Sequence, residues 1–563
     1  MSLYASCKIE ADNSAQIQNI KIYTVKGEFA DFKDIDSLLA YCKENQIEIL
    51  IFYNGKIDFS YFDYWLLTNK WQKAKNSKPG QLRRGEYKSI VGGCGERYII
   101  QIGLGKFTVR LRNLSLIAKG SLQAAARDFS VDYFGELETT LELAEVINDT
   151  FFKLTKKEWI TTSSPYLTLG SLSKSELNDY IVFRNNVVRF HDVYPLDVPR
   201  NKLFSSINIV RGGVCAFNKD YQGQVLNDCR KYDYNSAYPY IMKTYPMPYG
   251  KFQSYREIRN NSNLKFIIFK TFKAKLRFGM LPLHNHIITG FNKSVFNYYD
   301  EHNFTLWYDE LTALQKYYII EYEIKVVLEF TPRVDPGMGA FVEKYYEMKL
   351  KSTGAQKTCV KLILNNAFGK LGENIYRNLF YYELDESGRA VKKEEVIDHT
   401  NNNSLNYLNI FLSSYIASQG RARILNDIYR YCGENMRESL VYVDTDCIVV
   451  RGGVQIPSSN TELGAFKDEG HFTSFKFLNK KTYIGYQDNK LITAHAPGVD
   501  NTTLTQFFKN KNEEEGINLF NDTITFECPI YRLKVGGLVL EKGERRLLDT
   551  DALRTNGILI KEI

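Results

Sequence analysis

Residues 440–450, "LVYVDTDCIVV", set Asp444 and Asp446 one residue apart within β-branched and aromatic residues that read as a strand hairpin. Residues i and i+2 of a strand share a face, where neighbouring like charges repel. Placed in the turn instead, they still crowd each other at the tip of an apolar element. The stretch "DYNSAYP", residues 233–239, supplies a third carboxylate, Asp233, at the end of a strand, with Ser236 and Tyr238 just beyond. Carboxylates from separate strands can hold two Mg²⁺ ions about 3.5–4 Å apart, which stabilises the attacking and leaving oxygens of a phosphoryl transfer. Taken alone, the Asp444–Asp446 pair fits a capped turn or a calcium ligand equally well.

A second constellation lies in "AQKTCVKLILNNAFGKLGE", residues 355–373. At about 100° per residue, a helix here gathers Lys357, Lys361, Asn365 and Phe368 within roughly one quarter of its circumference, beside an apolar arc of Val360, Ile363, Leu364 and Ala367. One face is core. The other suits a triphosphate at one end and a base at the other. By itself the pattern is also that of an amphipathic helix with a solvated lysine face.

The elements that must position these residues belong to a large folded chain. At 563 residues, length alone suggests about three or four domains. The composition (44% hydrophobic, 25% charged, net charge +8) allows an acidic partner without proving one. The 39 tyrosines, interleaved with Lys and Arg, suit a chain that stacks bases and neutralises phosphates. Nine scattered cysteines without a CxxC pair point to reduced thiols in a cytoplasmic compartment and argue against a zinc site. No run approaches the roughly 20 apolar residues of a membrane span, and the first residues lack a signal-peptide core, so no membrane partner is expected. Strand-like "EILIFYN" (48–54) and "RYIIQIGL" (97–104) mix with helical "GSLQAAARDF" (120–129), as in an α/β domain. "YPLDVPRNK" (194–202) reads as a boundary, 251–335 gives mixed signals, 383–404 reads as an exposed hairpin or loop, and the C-terminal part is β-rich.

Taken in order, "DYNSAYP", "KLILNNAFG", "YVDTDC" and "KKTY" (480–483) resemble the motif series of family B DNA polymerases. "RGGVCAFN" (211–218), "YPMPYG" (245–250) and "RLKVGGLVL" (532–540) are similar to features of the protein-primed branch found in linear-genome bacteriophages and plasmids. The resemblance covers nearly the whole chain. It implies a multidomain α/β fold: an RNase H-like exonuclease-type domain at 1–195, followed by a right-hand polymerase with two insertions. The expected parts are palm at 196–250 and 408–490, a terminal-protein-binding insertion at 251–337, fingers at 338–372, a strand-displacement insertion at 373–407 and thumb at 491–563.

The same resemblance implies residue roles. Asp233 and Asp444 would be the ligands of two Mg²⁺ ions, with Mn²⁺ able to stand in and Asp446 beside them. Tyr238 would pack under the sugar and exclude a 2′-hydroxyl, Lys357 and Lys361 would meet phosphates, and Asn365 and Phe368 would frame the nascent pair. Lys481 and Tyr483 would hold the primer end, and Arg211, Gly212 and Gly213 a single strand. Ser115 and Leu116 would help with the primer strand, although Ser115 equally fits an ordinary helix start. Cys447, Asn366 and Phe368 stand where Ser, Ser and Tyr are usual, and Val210 where Tyr is usual.

The N-terminal half departs further. "FYNGKIDF" (52–59) offers Asn54 and Asp58 for the second exonuclease motif. The first motif offers Lys8 and Glu10, and the third Asn186. Two of four expected carboxylates are missing, and an ammonium opposes a metal outright, so the expectation is an impaired exonuclease. The implied partners are primer-template DNA, dNTPs and a terminal priming protein, with the chain a monomer in the host cytoplasm. A DNA-primed family B enzyme with active proofreading would lack both insertions. A non-catalytic DNA-binding relative would have no need of the intact carboxylates. A reverse transcriptase fits the lysine helix and KxY pattern poorly.

Overall fold

The structure, a computed structural model, describes residues 3–11, 16–53, 55–74, 82–91, 97–118, 121–160, 169–195, 209–283, 295–372, 376–384, 390–398, 409–497, 499, 501–521, 525–534 and 537–546. It is a multidomain α/β chain with one large mixed sheet at the N-terminal end and smaller antiparallel sheets after it.

In the eight-stranded sheet, Leu3–Ala11 and Ile47–Phe52 run parallel, and Ile47–Phe52 also runs parallel to Thr108–Asn113. "IEILIF" is a nearly unbroken apolar run because both of its faces are covered, the usual condition of a parallel strand. Leu50 and Phe52 pack with the helices Ile35–Glu44 and Gly55–Thr68, while Ile49 and Ile51 face Leu141, Ala144 and Ile147 of the helix Glu136–Thr155.

The sheet that matters for chemistry has five antiparallel strands: Phe466–Phe472, Cys229–Tyr234, Cys447–Arg451, Leu440–Asp444 and Cys215–Phe217. Its register sets Cys215 opposite Asp444, Asp444 opposite Cys447, Cys447 opposite Asp233 and Asp233 opposite Lys467. Directly paired residues share a face, so this is one row across the sheet. Against the sheet lies the helix Ile410–Cys432, capped by the Asn409 side chain on Leu412 N–H and stopped at Gly433 with φ +51°. Its Arg421 is buried in an ion pair with Glu310 of the helix Tyr308–Leu314, with side chains 2% and 1% exposed. The Arg421 guanidinium also donates to the carbonyls of Arg211 and Gly212, each at 3.0 Å.

Two further helices, Pro336–Lys351 and Gly354–Ala367, pack on each other and on Leu169–Arg184. The first begins with Asp335 accepting from Gly337 and Met338 N–H, followed by Pro336, whose fixed φ suits a first turn. The helix expected through residue 373 ends at Ala367, and the glycine-bearing turn Gly369–Gly372 follows. The mixed signals of 251–335 resolve into a four-stranded antiparallel sheet whose strand Tyr318–Arg333 alternates buried and exposed, plus the helix Tyr308–Leu314. Strands Tyr376–Leu384 and Ala390–Asp398 form a hairpin that begins seven residues before the expected segment 383–404 and overlaps it, and Thr525–Lys534 with Gly537–Arg546 form another near the C-terminus.

Among the described residues no helix is long and apolar enough to cross a membrane, and Cys7, Cys42, Cys215, Cys229, Cys359, Cys432 and Cys447 are free and buried. Removing one partner of a buried ion pair strands the other charge, at a cost of about 3–5 kcal/mol. Arg421→Met should therefore lower the thermal unfolding midpoint markedly, as read by calorimetry, while an exposed change such as Lys351→Met leaves it in place.

Candidate active site

The hairpin answers the crowding problem through its turn. Asp444 ends one strand, Thr445 and Asp446 make the turn, and Cys447 starts the next strand. Thr445 sits in the left-handed region at φ +60°, and its N–H donates to the Val214 carbonyl at 2.6 Å. Tyr234 N–H donates to the Asp446 carbonyl at 2.9 Å. The turn is thus pinned from both sides by backbone.

Asp446 stands beside Asp233, because Asp233 pairs with Cys447, the residue next to Asp446, whereas Asp444 lies one strand further away. Electrostatics agree. Burial, then repulsion from Asp446 and Glu469, pushes the Asp233 carboxyl up to about 7 against the pull of Lys231 and Lys467. Burial, with repulsion from Asp444 and Glu469, pushes Asp446 up to about 6. Asp444 instead lies 3.6 Å from the Lys481 ammonium and accepts from the Thr445 hydroxyl at 3.2 Å. Asp446 acts on the Asp233 carboxyl and Asp444 acts in turn on Asp446, so the three carboxylates form one connected group, with Asp446 rather than Asp444 next to Asp233.

Among the described residues no three His, Cys, Asp or Glu side chains already close on a metal position. Mg²⁺ asks for less, binding through one or two carboxylates and substrate phosphates while keeping several waters. Half-buried Asp233, repelled by Asp446, and half-buried Asp446, repelled by Asp444, belong to an all-oxygen donor set that a divalent ion would relieve, so the residues fit such an ion.

Facing this row, the helix Gly354–Ala367 exposes Lys357, Lys361 and Asn365 and buries Val360, Ile363, Leu364 and Ala367. Phe368, at its C-terminal end, packs on Tyr238 with ring centroids 4.2 Å apart. Tyr238 rises from the helix Ala237–Thr244 and lies over Gly420, where a Cβ would come within 3.0 Å of the ring. Burial pushes its hydroxyl up to about 12. Lys481 N–H donates to the Tyr442 hydroxyl at 2.7 Å, and the Tyr483 ring stacks on His495 with centroids 5.7 Å apart.

The glycine loop has a structural reason as well. A Cβ on Gly213 would meet Thr445 atoms at 2.6–2.8 Å, so glycine lets the loop touch the catalytic turn. Arg211 donates to the Thr305 carbonyl at 2.8 Å.

Sequence alone misses Lys349. Its ammonium donates to the Ser236 hydroxyl at 2.9 Å, and burial with repulsion from Lys361 and Lys357 lowers its proton affinity. On its own helix, "EKYYEMKLK" reads as a solvated charged face, and only packing of a second helix brings Lys349 to the others.

In the N-terminal domain, Lys8 forms an ion pair with Glu136. Partial burial works against its charge, yet the hydrogen bond and charge of Glu136, with Glu10 and Asp58, raise its proton affinity. Burial pushes Asp58 up to about 7, and Ile9 N–H donates to it at 3.0 Å. Glu10 is engaged by Lys21 at 3.0 Å. Asn54 lies outside the described residues. Asn186, expected to complete this group, instead occupies an exposed turn at φ +54° after Leu169–Arg184, a helix packed on the two lysine-bearing helices. The helix lying against Leu3–Ala11 is Glu136–Thr155, so the additional carboxylate there is Glu136. Ser115 donates its hydroxyl to Asn113 at 2.8 Å within the turn Leu114–Leu116.

Residues 137–417 match the family model of DNA polymerase type B, organellar and viral. The chain belongs to that family. The DNA polymerase of Bacillus phage M2 is 24% identical over 516 residues, covering 85% of this chain and 84% of its own. A probable DNA polymerase of Podospora anserina is 26% identical over 465 residues, 70% of this chain and 36% of its own. In fold, Phi29 DNA polymerase complexed with primer-template DNA and incoming nucleotide substrates superposes with a TM-score of 0.76 at 20% identity, over 97% of this chain and 100% of the other. This type B polymerase is a DNA-directed DNA polymerase with the multidomain α/β architecture of its viral relatives.

Gly213→Ala tests the contact between loop and turn. A displacement of about 1 Å at reacting groups costs on the order of a hundredfold in rate. Single-nucleotide extension by this variant should fall on that scale with the unfolding midpoint within a few degrees of the parent. Unchanged extension would mean the loop is free to move away from Thr445.

Proposed function

We propose that this polymerase adds deoxynucleotides to a primer 3′ hydroxyl, starts replication of a linear viral or plasmid genome from a hydroxyl on a terminal protein, and displaces the non-template strand as it proceeds. The observation that carries the polymerase chemistry is a row holding Asp233 and Asp444, with Asp446 in the adjoining turn, near a helix that presents Lys357, Lys361 and Asn365. Bound Mg²⁺ or Mn²⁺ supplies neutralisation of the charge developing on attacking and leaving oxygens.

The chain's own residues do the rest. Asp233 and Asp446 hold the ions, with Asp444 positioned between them and Lys481. Lys357, Lys361 and Lys349 bind the triphosphate through charge-assisted hydrogen bonds. Tyr238, seated on Phe368, closes the space below the sugar, and Asn365 with Phe368 frames the nascent pair. Lys481 and Tyr483 orient the primer end, and the loop Arg211–Gly212–Gly213 follows a single strand beside Thr445. Ser115 and Leu116 assist with a frayed primer strand.

Protein priming and strand displacement are supported by near full-length likeness to phage polymerases and by two added elements at the expected places. These are the four-stranded sheet between Met247 and Arg333 and the hairpin between Tyr376 and Asp398. We assign the first to the terminal protein and the second to the displaced strand, with the remaining division into exonuclease-like, palm, fingers and thumb parts as the sequence implies. The exonuclease-like domain is impaired, since Lys8 sets an ammonium among Glu10, Asp58 and Glu136. Its scattered free thiols suit work in the cytoplasm of the host cell.

A 5′-labelled primer on a longer template with Mg²⁺ tests both activities. The primer should lengthen with dNTPs and keep its length without them, and Asp233→Asn should abolish lengthening while DNA binding by gel shift persists. Shortening without dNTPs would overturn the nuclease assignment, and lengthening by Asp233→Asn the polymerase site. Protein priming predicts that a labelled dNTP becomes covalently attached to the cognate terminal protein, and free DNA primers alone sufficing for origin initiation would contradict it.

A further inference from the structure

Glu469 owes its position to an irregularity. Strand Phe466–Phe472 pairs with Cys229–Tyr234 so that Lys231 faces Gly470 while Tyr232 faces Asp468, leaving Glu469 as an extra residue. A β-bulge of this kind re-aims a side chain, and Gly470 accommodates it at φ +125°. The Glu469 carboxylate accordingly meets the Lys231 ammonium at 2.8 Å, with the two side chains 30% and 18% exposed. Lys231 precedes Asp233 by two residues on the same strand, so both project from one face. A permanent cation and a permanent anion thus stand together next to the metal-holding carboxylates, in a region where solvent screens charge weakly.

We infer that the Lys231–Glu469 pair sets the affinity of the Asp233–Asp446 site for divalent cations by charge, without ligating them. This rests on the reading of those two aspartates as the metal-holding pair. In the intact pair the two charges oppose each other at the metal position, with Lys467, 3.6 Å from Glu469, as a second cation that stays in place in every variant. Removing Lys231 unmasks an anion beside the site, and removing Glu469 unmasks a cation. The two single changes must therefore act in opposite directions, and removing both must restore the balance. A role in packing alone would push all three variants the same way.

The test is Mn²⁺ titration of the full-length chain, following the free-ion signal by electron paramagnetic resonance, with Asp233→Asn identifying the relevant site. Lys231→Met should tighten the Asp233-dependent Mn²⁺ affinity on the order of tenfold and Glu469→Gln should weaken it on the same scale, with the double variant within about threefold of the parent. Lys231→Arg, which keeps the charge, should stay near the parent and guards against a folding artefact. Weakening in all three variants would overturn the inference in favour of a structural role. A double variant as weak as Glu469→Gln would overturn it in favour of direct ligation. If Asp233→Asn removes no Mn²⁺ at all, the metal reading of the site falls, and this inference with it.

Discussion

Half-buried carboxylates that cannot comfortably ionise side by side are the constraint around which this polymerase is arranged. Burial, with repulsion from Asp446 on Asp233 and from Asp444 on Asp446, holds Asp233 and Asp446 well above the ordinary carboxylate range, and the fold keeps them together nonetheless. The backbone does the forcing: Cys447 pairs with Asp233, Tyr234 N–H binds the Asp446 carbonyl, and Val214 takes the Thr445 N–H. Such a site stores a demand for positive charge. Lys231, Lys467, Lys481 and Lys349 surround it without filling it, because each is tied to a partner of its own.

That backbone grip depends in turn on elements far away in sequence. Arg421, buried with Glu310, holds the carbonyls of Arg211 and Gly212, and so fixes the loop that touches Thr445. Glu310 belongs to the helix inserted between two strands of the four-stranded sheet. The element assigned to the priming protein and the catalytic turn are therefore joined through this ion pair and through Arg211, which donates to the Thr305 carbonyl of the same sheet.

Much of this was legible in sequence, for physical reasons. Periodicity separated the lysine face of 354–367 from its apolar face, and unbroken apolar runs marked the strands of the large sheet. The multidomain family B architecture followed from the order of the motifs. What was not legible depends on pairing between distant segments. The family resemblance paired Asp233 with Asp444, whereas in the structure the charge acting on Asp233 is that of Asp446, set in the turn next to Cys447. The residue sought at Asn186 lay in a turn after a helix that packs elsewhere, and Glu136 took the place beside Lys8. Lys349 and Glu469 each needed a tertiary event, a helix packing and a bulge, that no local pattern announces. Gly213 was read as a strand contact, and its need to approach Thr445 could only be seen once the loop and turn were in place.

We propose that Asp446, rather than Asp444, works with Asp233. Single-turnover incorporation of one deoxynucleotide, measured by rapid quench for Asp446→Asn and Asp444→Asn at saturating Mg²⁺, separates the two most directly. Loss of an ion-holding carboxylate costs several kcal/mol of transition-state stabilisation, so Asp446→Asn should slow the step on the order of a thousandfold. Asp444→Asn should slow it on the order of tenfold, having lost only a contact to Lys481 and Thr445. The reverse order would contradict the pairing read from the sheet and return Asp444 to the centre of the site.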